Sequence, residues 1–313
     1  MNLIPQWIDM KNAIFHLKTT AHKSELETAL EGASMSNKTV IIAVINKAYA
    51  ENNSMLDIFL NSFLSGENTT FLLDHLLLAA VDQTSFDRCK FLRLHCHKLE
   101  TDGVDFSGEK IYMSTEFIRM MWRRTKLLAD VLRLGYNFIF TDTDVMWLRN
   151  PFLRLGNEGE DLQISCDRFN RRPWDIRNPI NTGFYYVRSN NKTIALFDRW
   201  FGSRNESLAV KEQDVLNAMV VQGVLGQLGL KVRFLDTLYF GGFCQSGRNF
   251  NDIVTLHANC CRTIMAKMKD LRGFLAAWRN FKSSRSLNET TMAVRWPNYD
   301  ACAASWKHDP IQN

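Results

Sequence analysis

The sequence is short of cysteine, with seven in 313 residues. None has zinc-site spacing, and seven are too few for a disulfide-built scaffold. Cys89 and Cys96 are near neighbours, Cys260 and Cys261 are adjacent, and Cys166, Cys244 and Cys302 stand apart. An odd number leaves at least one thiol unpaired, and the pairing is open at this level. Long apolar runs are also missing. The longest, Val40–Ile45 and Leu76–Val81, are six residues each, against the roughly 20 that span a bilayer. Met1 to Phe15 carries Asp9 and Lys11 among scattered apolar residues, which excludes a signal peptide there. No basic run occurs and the net charge is only +5. That excludes a nucleic-acid-binding signature and leaves a weak preference for anionic ligands. Repeats, low-complexity tracts and linkers are absent too, so one domain is expected over 38–313, behind a helical lead-in at 1–37.

What is present is a globular composition, 46% hydrophobic and 23% charged, and one organising stretch, Tyr136 to Leu148. Its apolar opening reads as a strand buried on both faces. It runs into Asp142 and Asp144, one residue apart, and strand alternation would point both carboxylates to one side. Carboxylates so close repel unless a cation lies between them. A hard divalent ion completed by substrate phosphates meets that need. The carboxyl end of such a strand is also where open α/β sheets bind ligands.

The rest of the chain supplies the sheet. Val40–Ile45, His75–Val81, Leu162–Asp167, Ile180–Arg188, Val232–Leu235 and Asp252–Leu256 read as strands, with a short one inside Leu92–Leu99. Residues 52–66, Thr84–Arg93, Met113–Leu134, Asn191–Phe201, Glu212–Val221 and Thr263–Lys282 read as helices. Alternation of the two predicts an α/β fold with a mainly parallel central sheet flanked by helices. Asn46 to Tyr49, at the end of the first strand, is a place for a base or ribose. Arg168 to Arg177, with four arginines and Trp174, reads either as a basic lid over phosphates or as a solvated loop. His95, Cys96 and His97 read as structural. So, from the residues alone, does the lone His257. Six Asn-x-Ser/Thr sequons, at Asn37, Asn52, Asn68, Asn191, Asn205 and Asn288, lean toward the secretory lumen.

The Gly135-Tyr136 to Pro151-Phe152 stretch resembles the plant nucleotide-diphospho-sugar transferases of glycosyltransferase family 77, which includes cell-wall xylosyl- and arabinosyltransferases. The Arg124-x-Lys126-Leu-Leu helix, the Asn181-Thr-Gly-Phe-Tyr-Tyr-Val-Arg-Ser189 stretch and Gln213-Asp214-x-Leu216-Asn217 carry the resemblance further, in the same order. It covers roughly residues 70–310. It implies a GT-A fold, a nucleoside-diphosphate sugar donor such as a UDP-sugar, manganese or magnesium, and retention of anomeric configuration. It also implies a glycan or glycoprotein acceptor and a type II Golgi protein whose N-terminal anchor this chain does not show. By the same resemblance Asp142, Asp144 and His257 ligate the metal. Asp142, Arg124, Lys126, Asn181, Gly183 and Asp167 face the donor, and Gln213 or Asp214 lies under the anomeric carbon. Two other readings compete. One is a non-catalytic carbohydrate-binding or assembly subunit of the same fold. The other is a haloacid-dehalogenase-type phosphatase, whose phosphorylated Asp usually follows the first strand rather than a later one.

Overall fold

The computed structural model describes residues 23–110, 113–156, 159–205, 210–286 and 294–307; the first 22 residues of the expected lead-in lie outside them. The described chain opens with α1 (Glu25–Ala33), whose capping box joins Ser24 and Glu27. Then come β1 (Thr39–Ile45), α2 (Lys47–Ala50), α3 (Met55–Ser65), β2 (Leu76–Ala80), α4 (Gln83–Phe91), β3 (His95–Lys98) and α5 (Thr115–Arg133). The central stretch forms β4 (Asn137–Thr141) and β5 (Val145–Trp147). After them follow β6 (Leu162–Cys166), β7 (Ile180–Val187), α6 (Asn191–Gly202), α7 (Glu212–Val221), α8 (Val224–Gln227) and β8 (Val232–Phe234). The chain closes with β9 (Phe240–Gly242), β10 (Thr255–His257), α9 (Ile264–Ser286) and α10 (Asp300–Ala304).

Seven strands make one sheet in the order β3-β2-β1-β4-β7-β6-β8. β1 to β4 pair in parallel through β3, β2, β1 and β4, and β6 pairs in parallel with β8. Only β7 runs against its neighbours β4 and β6. The sheet is thus mixed but mainly parallel and flanked by helices, the α/β architecture that the alternation of strands and helices predicts. A smaller sheet, β5-β10-β9, hangs below the carboxyl ends of the central strands.

Period-two alternation along β4 splits the core. Phe138 and Phe140 face Leu128, Leu132, Tyr185 and Phe197 on one side, and Ile139 faces Phe59, Phe63 and Trp147 on the other. A third apolar cluster under the small sheet joins Met146, Leu148 and Leu256 to Leu271, Phe274 and Trp278 of α9. Trp147 anchors the change of direction after β4. It is fully buried, stacks on Phe63 with centroids 4.7 Å apart, and donates from Nε1 to Thr141 Oγ1 at 3.2 Å.

Six cysteines form disulfides, Cys89–Cys96, Cys244–Cys260 and Cys261–Cys302, and Cys166 is free and buried. The first bridge removes Cys96 from metal binding, so the His95-Cys96-His97 stretch is structural, as expected. Burial pushes the Cys166 thiol up to about 12, which keeps it a neutral, unreactive thiol. Under non-reducing conditions an alkylating reagent should therefore label no cysteine in the native chain and one, Cys166, after unfolding. Mass spectrometry of the labelled peptides checks this, and label on any other cysteine contradicts the pairing.

Candidate active site

The turn between β4 and β5 is the floor of the site. The strand ends at Thr141, so Asp142 and Asp144 lie in a turn rather than along the strand, and alternation is not what aligns them. Backbone hydrogen bonds aim the carboxylates instead. Asp142 N–H donates to Gly183 O at 2.7 Å, Val145 N–H to Asp142 O at 3.2 Å, and Ala258 N–H to Asp144 O at 3.0 Å. The turn is thereby clamped between β7 and the end of β10. Antiparallel pairing of β5 with β10 sets His257 opposite Val145, which brings a residue 113 positions beyond Asp144 to the same spot.

Each carboxylate is divided between two partners. Asp142 takes Arg124 Nη1 on Oδ1 at 2.8 Å and turns Oδ2 toward His257 Nε2, 4.0 Å away. Asp144 takes Lys267 Nζ on Oδ2 at 2.7 Å and faces His257 Nε2 with Oδ1 at 3.3 Å. Burial works against the charge on Asp144, but Lys267 and His257 outweigh it and hold its carboxyl well below the usual range. Asp142 goes the other way: burial, with Asp144 nearby, raises it despite Arg124. His257 is held above its ordinary value because Asp144 outweighs the burial that would lower it.

The same cavity, of about 320 Å³, is lined by Asp167, Asn181, Gly183, Glu212 and Gln213. Asp167 Oδ1 accepts from the amides of Asn181 and Asn259, each at 2.8 Å, and Asn181 Oδ1 accepts from Gly183 N–H at 2.9 Å. Gln213 accepts at Oε1 from Thr182 N–H at 3.0 Å. Gly183 is a steric requirement. A Cβ there would lie 2.3 Å from His257 Cε1 and 2.8 Å from Asp142 Oδ2.

Two expected residues lie elsewhere. Lys126 is two positions beyond Arg124 on α5, roughly 200° round the helix. It is exposed, pairs with Asp130 at 2.8 Å and lines no part of the cavity. Asp214 likewise follows Glu212 by two, is exposed and turns toward Lys211 at 3.9 Å. Two residues that sequence reasoning missed take their places. Glu212 is buried, bonded to Arg124 Nη2 at 2.5 Å and to Thr182 Oγ1 at 2.9 Å. Lys267 reaches Asp144 from α9. Asn46 does line the cavity, but its amide is spent on Phe106 O and Gly108 O. The arginine loop is not over the site. Buried Asn178 ties it down through Asn170, Arg172 and Asp175, and none of its residues lines the cavity.

The donor set fits a divalent cation. Asp142, Asp144 and His257 each offer an atom, all within 4.8 Å of one another, and two carboxylates with one imidazole suit manganese better than a softer or larger ion. Charge agrees. Three carboxylates, Asp142, Asp144 and Glu212, face two cations, Arg124 and Lys267. With His257 neutral the cluster carries one net negative charge, which a divalent ion reverses to suit a diphosphate.

Two consequences are measurable. Gly183→Ala should fold yet displace His257, weakening manganese affinity on the order of 10–100-fold. Thermal shifts against manganese concentration read this, and superimposable titrations would contradict the packing. The second concerns acid. Asp144, depressed in the folded chain, contributes stability above its unfolded pKa of about 3.9. That contribution is lost as pH falls through 3.9 toward the lower folded value. The fall in melting temperature of the metal-free protein below about pH 5 should therefore be shallower in Asp144→Asn than in the wild type. Parallel curves would deny the depressed carboxyl.

Comparison with known proteins agrees with this geometry. Residues 71–271 match the family model described as nucleotide-diphospho-sugar transferase. An uncharacterized protein of Arabidopsis thaliana is 52% identical over 303 residues, 95% of this chain and 89% of its own. The beta-arabinofuranosyltransferase RAY1 of the same plant is 25% identical, over 69% of this chain and 41% of its own length. A UDP-D-xylose:L-fucose alpha-1,3-D-xylosyltransferase is 26% identical, over 52% of this chain and 46% of its own. The chain thus spans less than half of those two named relatives. Among solved structures, mouse xyloside xylosyltransferase 1 gives a TM-score of 0.43 at 14% identity, over 71% of this chain and 98% of that one; a likeness at that level says nothing of substrate. With the family model matched across the site and most of the central sheet, this chain belongs to the nucleotide-diphospho-sugar transferases.

Proposed function

We propose that the protein is a metal-dependent, retaining glycosyltransferase. It moves a sugar, a pentose such as xylose or arabinose being favoured, from a UDP-sugar to a glycan or glycoprotein of the plant cell wall. The observation that carries this is the convergence of Asp142, Asp144 and His257 on one point of the cavity floor, beside Lys267. The pentose and the wall acceptor rest on what the named relatives transfer. The Golgi lumen as compartment is supported by three disulfides and by exposed sequon asparagines at 37, 52, 68 and 191. Among the described residues no helix is long and apolar enough to cross a membrane.

Manganese or magnesium, when held by Asp142, Asp144 and His257, supplies positive charge against the donor diphosphate. The chain's own groups do the rest. Lys267, already in the cavity wall, adds a second positive charge where the leaving diphosphate gains negative charge. Arg124 has its guanidinium committed to Asp142, Glu212 and Thr182, so it positions Asp142 instead of gripping phosphate. Asn181 and Gly183 face the transferred sugar from β7, with Asp167 orienting Asn181. In transfer, the bond from the anomeric carbon to the phosphate oxygen breaks and a bond to the acceptor oxygen forms. The acceptor proton passes to the departing phosphate. Gln213 offers an amide and not a carboxylate nucleophile, Glu212 is consumed by Arg124, and Asp214 points away. This supports same-face attack over a covalent glycosyl-enzyme.

UDP release from UDP-xylose and UDP-arabinose, measured with and without manganese, tests the assignment. Asp144→Ala should abolish turnover while still unfolding in one cooperative transition, at a lower melting temperature because Lys267 loses its partner. His257→Ala should lose on the order of 10–100-fold and regain part of it at high manganese. Full activity in chelator would overturn the metal role. Manganese-dependent UDP binding without any turnover would favour the non-catalytic subunit.

A further inference from the structure

The C-terminal part of the described chain is tied to the cavity in a way the donor chemistry does not use. Beyond His257 the chain runs along the cavity wall through Asn259, Cys260, Cys261 and Arg262. Cys261 is bridged to Cys302 of α10, and Trp306, just past that helix, lines the same wall. We propose that Trp306 is the stacking platform of an acceptor subsite for a sugar ring, with Arg262 holding the indole from its other face. The proposal rests on the glycosyltransferase reading above and specifies where that enzyme holds its second substrate.

Three observations carry it. First, Trp306 is 52% exposed, and of the large hydrophobic side chains left exposed among the described residues it is the one that lines the cavity. Trp174 and Ile176, for example, are as exposed but lie outside it. An exposed indole at a cavity wall is the kind of surface that marks a binding site.

Second, the ring is fixed before any ligand arrives. Its Nε1–H donates to Cys260 O at 2.8 Å. Arg262 N–H donates to Ser305 Oγ at 3.1 Å, and Asp270 accepts from the N–H groups of Ala301 and Cys302 at 3.3 and 2.7 Å. With the Cys261–Cys302 bridge, little conformational freedom remains to be lost on binding.

Third, the chemistry fits a saccharide. The indole N–H is already satisfied, so the ring offers its π face, which suits the C–H face of a sugar. The Arg262 guanidinium lies over one face of the ring, 5.3 Å from its centroid, which holds the indole from that side and leaves the opposite face to the sugar. Cys260, which holds the indole, is three residues past His257, and both line the cavity that Asn181 and Gly183 line, so the platform and a donor sugar share one cavity.

Binding measurements on the full chain test this with manganese, UDP and a panel of arabino-oligosaccharides, xylo-oligosaccharides and methyl L-fucoside as probes. Saturation-transfer NMR reads the saccharides and thermal shift reads UDP with manganese. The expected result is that Trp306→Ala weakens the bound saccharide at least about tenfold, Trp306→Phe largely preserves it, and Arg262→Ala weakens it. The UDP shift stays unchanged in all three. A weakened UDP response in Trp306→Ala with saccharide binding intact would overturn the proposal in favour of a platform for the base. Lower melting temperatures with both ligands bound normally would overturn it in favour of a structural tryptophan. Wild-type chain that binds UDP but no saccharide in the panel would also overturn it. Saccharide binding lost in Trp306→Ala, from a wild type that never binds UDP, would uphold the platform and strike down the donor assignment.

Discussion

One buried cation holds the site together. Arg124 is 4% exposed and joins four elements: its own helix α5, the turn after β4 through Asp142, β7 through Thr182, and α7 through Glu212. Its guanidinium also lies over the Phe140 ring at 4.5 Å, so the apolar core reaches the edge of the polar cluster. The planar fork serves the buried carboxylate of Glu212 and the half-buried one of Asp142 at once, as a lysine's point charge would not. Removing one partner from such an arrangement costs about 3–5 kcal/mol, while an apolar replacement of the whole set is often neutral. The set therefore persists for what it positions. It occupies one oxygen of Asp142 and leaves the other facing His257.

The fold was legible because its signals are local. Apolar runs bounded by polar turns mark β1 and β2, a shorter one marks β4, apolar–polar alternation marks β6, and the amphipathic stripe of α5 marks its long helix. The short strands of the second sheet were only partly legible. β9 reads Phe-Gly-Gly and has no periodicity to betray it. β10 is three residues long and owes its existence to pairing with β5.

The site was legible where chain order carries information and illegible where only folding does. Asp142 and Asp144 announce themselves by spacing. His257 needs β5–β10 pairing to reach them and is indistinguishable in sequence from a capping histidine. Glu212 looks like any acid in the first turn of a helix, yet it is the buried partner of Arg124, and its neighbour Asp214 is the solvated one. Lys267 sits in a helix with several other basic residues, and nothing near it in sequence marks it as the one that meets Asp144. The choice between Arg124 and Lys126 turns on helix phase alone: two residues apart on α5 are opposite faces.

The arginine loop, which sequence offered either as a lid or as a solvated loop, has a different consequence for the molecule. β8 is an outer strand of the large sheet, and the loop's Pro173 carbonyl accepts the Phe234 N–H at 2.7 Å. At the far margin β3 is four residues long, ends in a lysine, is stapled to α4 by Cys89–Cys96, and has Gly32 of α1 against His95. Both margins thus offer little unpaired backbone to a stranger's strand, so even in a concentrated solution this sheet has few chances to grow from one chain into the next.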